Sequence, residues 1–200
     1  EVGVIPEDWS LKCIGEIASV TSGGTPNRKN PAFWEGNIPW ITTALIDGSV
    51  IYSAVEYITD EGVKGSAAKW IESGTLLMAM YGQGKTRGKV GILGIRATIN
   101  QACAAITVKN TIYPKFLLHY LRGTYTAIRE LSNAGGQENL SGGIIRSFLV
   151  PYPSKEEQRA IATALSDMDA LLEGLDQLIA KKRDLKQATM QQLLTGKTRL

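Results

Sequence analysis

"VPYPSKEEQRAIATAL", Val150 to Leu165, is the stretch on which the architecture turns. Pro151 and Pro153 close whatever precedes them, because proline fixes φ and carries no amide proton. Ser154 stands three residues before Glu157, the spacing at which two side chains satisfy the free amides of a helix start. From Lys155 to Leu194 there is no proline and the only glycine is Gly174, and Gly196 then supplies a stop. The spacing predicts one helix of about 40 residues, roughly 60 Å long.

Inside that helix Ile161, Leu165, Met168, Leu172, Leu175 and Ile179 alternate spacings of four and three, which is a heptad seam. Leu171, Leu178 and Leu185 form a second stripe. A helix longer than its own domain is wide is expected to project and to bury its seam elsewhere. A second copy of the chain is the simplest cover, since two-fold pairing is the commonest solution.

The residues before the prolines read differently. "TLLMAMY" (Thr75–Tyr81), "KVGILGI" (Lys89–Ile95) and "CAAITV" (Cys103–Val108) are short apolar runs bounded by glycine or polar residues, as strands are. "YPKFLLHYLRGTYTAIRELS" carries a helical stripe interrupted at Gly123. Between such pieces lie three glycine-rich loops, "TSGGTPN", "YGQGKTRG" and "NAGGQENLSGG". The expected fold is therefore α+β: a compact mixed α/β body over 1–153, followed by the long helix over 154–200.

Composition narrows the function. A chain of 200 residues is long enough for one core and an extension. Cys13 and Cys103 lie far apart without metal or redox spacing, so they read as reduced core thiols of a cytoplasmic protein. The single histidine, His119, sits among Leu117, Leu118 and Leu121 and reads as packing. No apolar run is long enough to span a bilayer. The net charge of +3 decides little, but its distribution does. Between Ser73 and Arg129 there is no Asp or Glu, while Lys85, Arg87, Lys89, Arg96, Lys109, Lys115, Arg122 and Arg129 all fall there. One sign of charge over so long a stretch points to a polyanion.

Two catalytic motifs are approached and missed. "NPAF" (Asn30–Phe33) is one residue from the Asn-Pro-Pro-aromatic loop of amino-methylating DNA methyltransferases. That loop needs a dinucleotide-fold glycine turn before it for the methyl donor, and nothing ahead of Asn30 supplies one. "GKT" (Gly84–Thr86) matches the end of a nucleotide-binding loop, but Ala79 stands where its first glycine belongs, and a strand rather than a helix follows. The better reading is a basic hairpin, with Lys85, Arg87 and Lys89 for phosphates and Gln83 for a base edge.

The order of the motifs resembles one family, the specificity (S) subunits of type I restriction–modification enzymes. "GVIPEDW" (Gly3–Trp9) looks like its opening motif, and "SGGTPNRKNPAFWEGNIPWI" like its G-G-T-P … W-x-G-x-I-P-W stretch. "INQACAAI" resembles its I-N-Q strand, "VPYPSKEEQRAIATAL" its P-x-x-x-E-Q-x-x-I boundary, and "MQQLLTGKTRL" the tail of its helix.

The resemblance implies a target recognition domain over 1–153 that reads half of a split site in double-stranded DNA. It implies a helical region over 154–200 that sets the spacing and docks the modification subunits, with the restriction subunits joining through the complex. Those partners carry the chemistry, so no catalytic residue, cofactor or metal is expected here. A complete S subunit resembles two such units in tandem, whereas this chain matches one. A homodimer through Ile161, Leu165, Met168, Leu172, Leu175 and Ile179, as an antiparallel coiled coil, would restore the pair.

The candidate DNA contacts are Arg28, Lys29, Gln83, Lys85, Arg87, Lys89, Gln137, Asn139 and Arg146 in the glycine-rich loops, with Lys64 as a further phosphate contact. Three other readings stay open at this point: the recognition domain of a related methyltransferase or restriction enzyme, a standalone methyltransferase or NTPase, and a scaffold that uses the helix for assembly without binding DNA.

Overall fold

Short strands and helices fill the first three quarters of the chain, and one helix fills the last. In order they are β1 (Ser10–Cys13), α1 (Ile14–Ile17), β2 (Ala18–Ser22), β3 (Trp34–Ile41), β4 (Val50–Ile51), β5 (Glu56–Ile58), α2 (Asp60–Lys64), β6 (Trp70–Ile71), β7 (Leu76–Ala79), β8 (Val90–Leu93), β9 (Ala97–Ile99), β10 (Cys103–Val108), α3 (Pro114–Gly123), α4 (Tyr125–Asn133), α5 (Gly142–Ser147), β11 (Leu149–Tyr152) and α6 (Lys155–Leu194). The structure, a computed structural model, describes residues 4–82, 84–133 and 139–199. The three strands expected from apolar runs are β7, β8 and β10, and the interrupted helical stripe is α3 and α4, parted at Thr124.

Two sheets make the body. One has the order β2-β10-β7-β8-β4 and the other β5-β3-β9-β6. Leu77, Ala79, Leu93, Cys103 and Ala105 of the first sheet share one buried cluster with Ile41, Ile71, Ala97 and Ile99 of the second. Because strand side chains alternate, Leu76, Met78, Ala104 and Ile106 fall on the other face of the first sheet, and they too are buried. Helix α3 covers that face at β8, with Leu117 and Leu121 fully buried. Each such side chain contributes about 1.5–3 kcal/mol when withdrawn from water. Burial also pushes the Cys103 thiol up to about 12, so it stays protonated, as a core thiol should. A third, two-stranded sheet pairs β1 with β11, antiparallel, and so joins the start of the body to its end.

The cap predicted for the long helix is present. The Ser154 hydroxyl donates to Glu157 Oε2 at 2.8 Å and accepts from the Glu157 amide at 3.3 Å, while the Ser154 amide reaches the same carboxylate at 3.1 Å. These bonds hold the Glu157 carboxyl below the usual glutamate range. At the far end, Gly196 with φ 70 ends the helical path. The chain falls into two units, Glu1–Arg159 and Ala160–Leu200, so the division lies inside α6 rather than at its first residue.

Gln158 helps to tie the first turn to the body. It is fully buried, donates from Nε2 to the Pro153 carbonyl at 3.0 Å, and accepts from the Tyr113 amide at 2.7 Å. Among the described residues no helix is long and apolar enough to cross a membrane.

Two substitutions test this packing. Gln158→Leu removes both bonds and leaves their backbone partners unsatisfied, so urea unfolding should show a loss of about 1–3 kcal/mol. Gly23→Ala places a Cβ 1.8 Å from the Ile99 carbonyl oxygen. The backbone must move to admit it, and the loss should reach or exceed the roughly 1–3 kcal/mol of ordinary overpacking.

Candidate nucleic-acid interface

The register of the first sheet gathers the glycine-rich loops. Ser22, the last residue of β2, pairs with Ala104 near the start of β10, and Cys103 pairs with Ala79 at the end of β7. Val90, the first residue of β8, pairs with Met78. Four strand ends therefore meet at one sheet edge. From that edge emerge the loop 23–33, the hairpin 80–89 and the turn 100–102. The Met80 amide donates to the Ala102 carbonyl at 2.8 Å, and the Met80 carbonyl accepts from the Leu140 amide at 3.0 Å, which brings the segment before α5 to the same place.

Each loop is built in rather than draped. Gly24 donates its amide to the Ile99 carbonyl at 3.0 Å, and its carbonyl accepts from the Trp40 indole at 3.0 Å. Trp34 anchors the next part, donating to the Asn27 carbonyl at 3.2 Å. Both tryptophans thus hold the loop. The Asn30 side chain accepts from the Ala32 amide at 3.1 Å and caps a single 3-10 turn, Pro31–Phe33. The near-match to a methyltransferase loop is therefore a capped turn, and Asn30 has its oxygen engaged in it. The "GKT" segment runs directly into β8, which leaves no helix start to cradle a nucleotide phosphate.

The candidate residues do not all behave alike. Lys85 is exposed on the hairpin and Lys89 is half-buried. Arg87, between them, is 8% exposed, so its guanidinium is not offered to a ligand as the Lys85 ammonium is. The hairpin reading assigned all three to phosphates, and the turn instead directs the middle one inward. Its carbonyl accepts from Arg129 Nη1 at 3.2 Å.

Arg28 is committed within the body. Its guanidinium lies 3.9 Å from the Trp34 ring centre and 4.8 Å from that of Trp40, and it pairs with both carboxylate oxygens of Glu56. That pairing raises Arg28 and lowers Glu56 from their ordinary ranges. Lys29, one residue on, is exposed. Lys64 is exposed at the end of α2, an element fastened beside this loop by the Thr59 hydroxyl donating to the Ala32 carbonyl at 2.7 Å.

Asn139 is exposed next to Leu140 and so belongs to the edge. Arg146 does not. A Cβ built on Gly15 meets Arg146 Cβ at 3.3 Å, which places this arginine by the start of β2, at the opposite end from Ser22. Gln83 and Gln137 lie outside the described residues.

Two groups at the edge escaped the sequence reading. Gln101, exposed in the turn 100–102, pairs its side chain with Thr25 of the glycine loop. Arg122, at the end of α3, lines a hollow of about 260 Å³ together with Lys85, Lys89, Asp47 and Tyr125. The acid-free stretch that drew attention to Lys85 also contains Arg122. Its place in an apolar helical stripe hid it.

Comparison with known proteins fits this arrangement. The family model described as "Type I restriction modification DNA specificity domain" matches residues 6–182. The chain is 34% identical over 183 residues to the type I restriction enzyme MjaIX specificity subunit of Methanocaldococcus jannaschii, covering 87% of this chain and 41% of that one. It is 28% identical over 186 residues to the EcoR124I/EcoR124II specificity subunit of Escherichia coli, covering 90% of this chain and 45% of the relative. It thus spans less than half the length of these curated relatives.

The crystal structure of the HsdS subunit from Thermoanaerobacter tengcongensis superposes with a TM-score of 0.69 at 20% identity over 96% of this chain and 46% of that one. A chain from a type I R-M system assembly superposes with a TM-score of 0.71, also at 20% identity, over 96% of this chain and 47% of its own length. Both share the α+β body followed by a long helix. By its family match and its likeness to these subunits, the chain belongs to the type I restriction modification DNA specificity domains.

Proposed function

We propose that this chain is one recognition unit of a type I specificity subunit, reading one half of a bipartite site in double-stranded DNA. The observation that carries this reading is the convergence of the glycine-rich loops at one sheet edge, in a family of DNA specificity domains. Lys29, Lys85, Lys89 and Asn139 are the proposed contacts there, with Lys64 flanking them. Arg28 joins them only by exchanging Glu56 for a phosphate. The lysines supply sequence-independent affinity through counterion release, and the uncharged loop side chains supply base contacts. Catalysis belongs to modification and restriction subunits that this chain directs, in the cytoplasm where the DNA lies.

The second part of the proposal concerns α6. Leu165 is 43% exposed, Met168 and Leu172 60%, and Leu175 and Ile179 46% and 47%. A stripe of that kind is covered in a stable protein. The charges say how. Residues 160–180 carry Asp167, Asp169, Glu173 and Asp176 and no Lys or Arg. Residues 181–199 carry Lys181, Lys182, Arg183, Lys186, Lys197 and Arg199 against one acid, Asp184. A parallel pair sets like against like, whereas an antiparallel pair sets the acidic half of one helix on the basic half of its partner. A second copy in antiparallel register fits both the apolar stripe and the charges.

Sedimentation should therefore show the chain as a dimer. Leu165→Asp with Leu172→Asp buries unpaired carboxylates in the seam and should give a monomer. A monomeric wild type at high concentration contradicts the pairing. Calorimetric titration of the chain alone with methyl donor or with ATP should show no binding, and micromolar affinity for either would overturn its role as the non-catalytic subunit.

A further inference from the structure

We propose that the hollow between the β7–β8 hairpin and the end of α3 is a seat for one DNA phosphodiester, with Arg122 as its principal ligand. The inference rests on the DNA-recognition reading above and adds to it a site and a residue. Three cations line the hollow, and they come from two elements: Lys85 and Lys89 from the hairpin, and Arg122 from α3. One acid, Asp47, is among the lining residues, and its Oδ1 is turned into its own loop. That oxygen accepts from the Ser49 hydroxyl at 2.6 Å and from the Ser49 amide at 3.0 Å. Asp47 offsets part of the charge of Lys89, and with Lys85 and Arg122 the lining is still left net positive, which favours an anion. The size, about 260 Å³, suits a phosphate with part of its sugar.

The chemistry of the ligands agrees. A guanidinium takes two phosphate oxygens in one fork, and ammonium groups add point charge on either side. Gly48, with φ +108, turns the backbone beside that fork, and a Cβ built there would stand 3.6 Å from Arg122 Nε, in ordinary contact. The hairpin is also held in advance. The Tyr125 hydroxyl donates to the Lys85 carbonyl at 2.6 Å, and Arg129 Nη1 donates to the Arg87 carbonyl at 3.2 Å and to the Tyr125 hydroxyl at 3.1 Å. A loop fixed before binding loses less entropy on binding. The hollow flanks the edge where the recognition loops meet, so its phosphate orients the duplex without reporting its sequence.

The test is the salt dependence of binding by the full chain to a mixed-sequence DNA duplex. Arg122→Ala should flatten the slope of log affinity against log salt by about 0.9, the loss of one counterion-release event. Arg122→Gln, which keeps the side-chain stem, should do the same while melting at the wild-type temperature. A wild-type chain that binds DNA, with both variants keeping its slope and affinity, overturns the seat and leaves the recognition reading standing. A wild-type chain that binds no DNA overturns both. Titration with inorganic phosphate separates the other source of the same chemistry. Saturable binding that Arg122→Ala abolishes, with the DNA slope unmoved, assigns the hollow to free phosphate and contradicts the proposal.

Discussion

Gly24 is bonded on both sides of its peptide to the second sheet: its amide to Ile99 on β9 and its carbonyl to the Trp40 indole on β3. The preceding residue has no room for any side chain, since a Cβ on Gly23 lies 1.8 Å from the Ile99 oxygen. A Cβ on Gly24 would likewise meet the Ala67 carbonyl carbon at 2.4 Å. The chain leaving β2 of the first sheet is therefore pressed into the second at its start. Everything that follows depends on this contact. It fixes where residues 25–33 emerge, it sets Thr25 beside Gln101, and it leaves Trp34 and Trp40 placed to hold Arg28. The flexible-looking "SGGTPN" is a closely packed joint, and glycine serves there for proximity rather than for freedom.

The long helix and its cap were legible in the sequence because they depend on local chemistry. Ser154 and Glu157 are three residues apart, so nothing remote is needed to predict their bonds. The strands β7, β8 and β10 were legible for a similar reason, as apolar runs bounded by glycine or polar residues. The two-sheet arrangement was not, because it depends on pairings such as β3 with β9 that cross long stretches of chain.

The site divides along the same line. Lys85 stands exposed on a hairpin as its neighbours suggested. Arg28 looked equally free, but Glu56, 28 residues away, takes its charge. Arg87 and Lys85 are two residues apart with the same charge, and one is buried while the other is exposed. Arg146 follows a glycine-rich loop like the others, yet α5 carries it toward Gly15 and away from the edge. Gln158 is the opposite case, since its motif was legible but its purpose was not. The buried amide ties the first turn of α6 to Tyr113, which no local pattern reveals.

In the proposed assembly one recognition surface is used twice, through two copies related by an antiparallel helix pair. Mapping methylated adenines in the DNA of cells that carry this chain with its modification subunit tests that directly. The expected result is a single site made of one short sequence and its inverted repeat, separated by a fixed gap. Methylation at two unrelated half-sites, or at sites without two-fold symmetry, would contradict it.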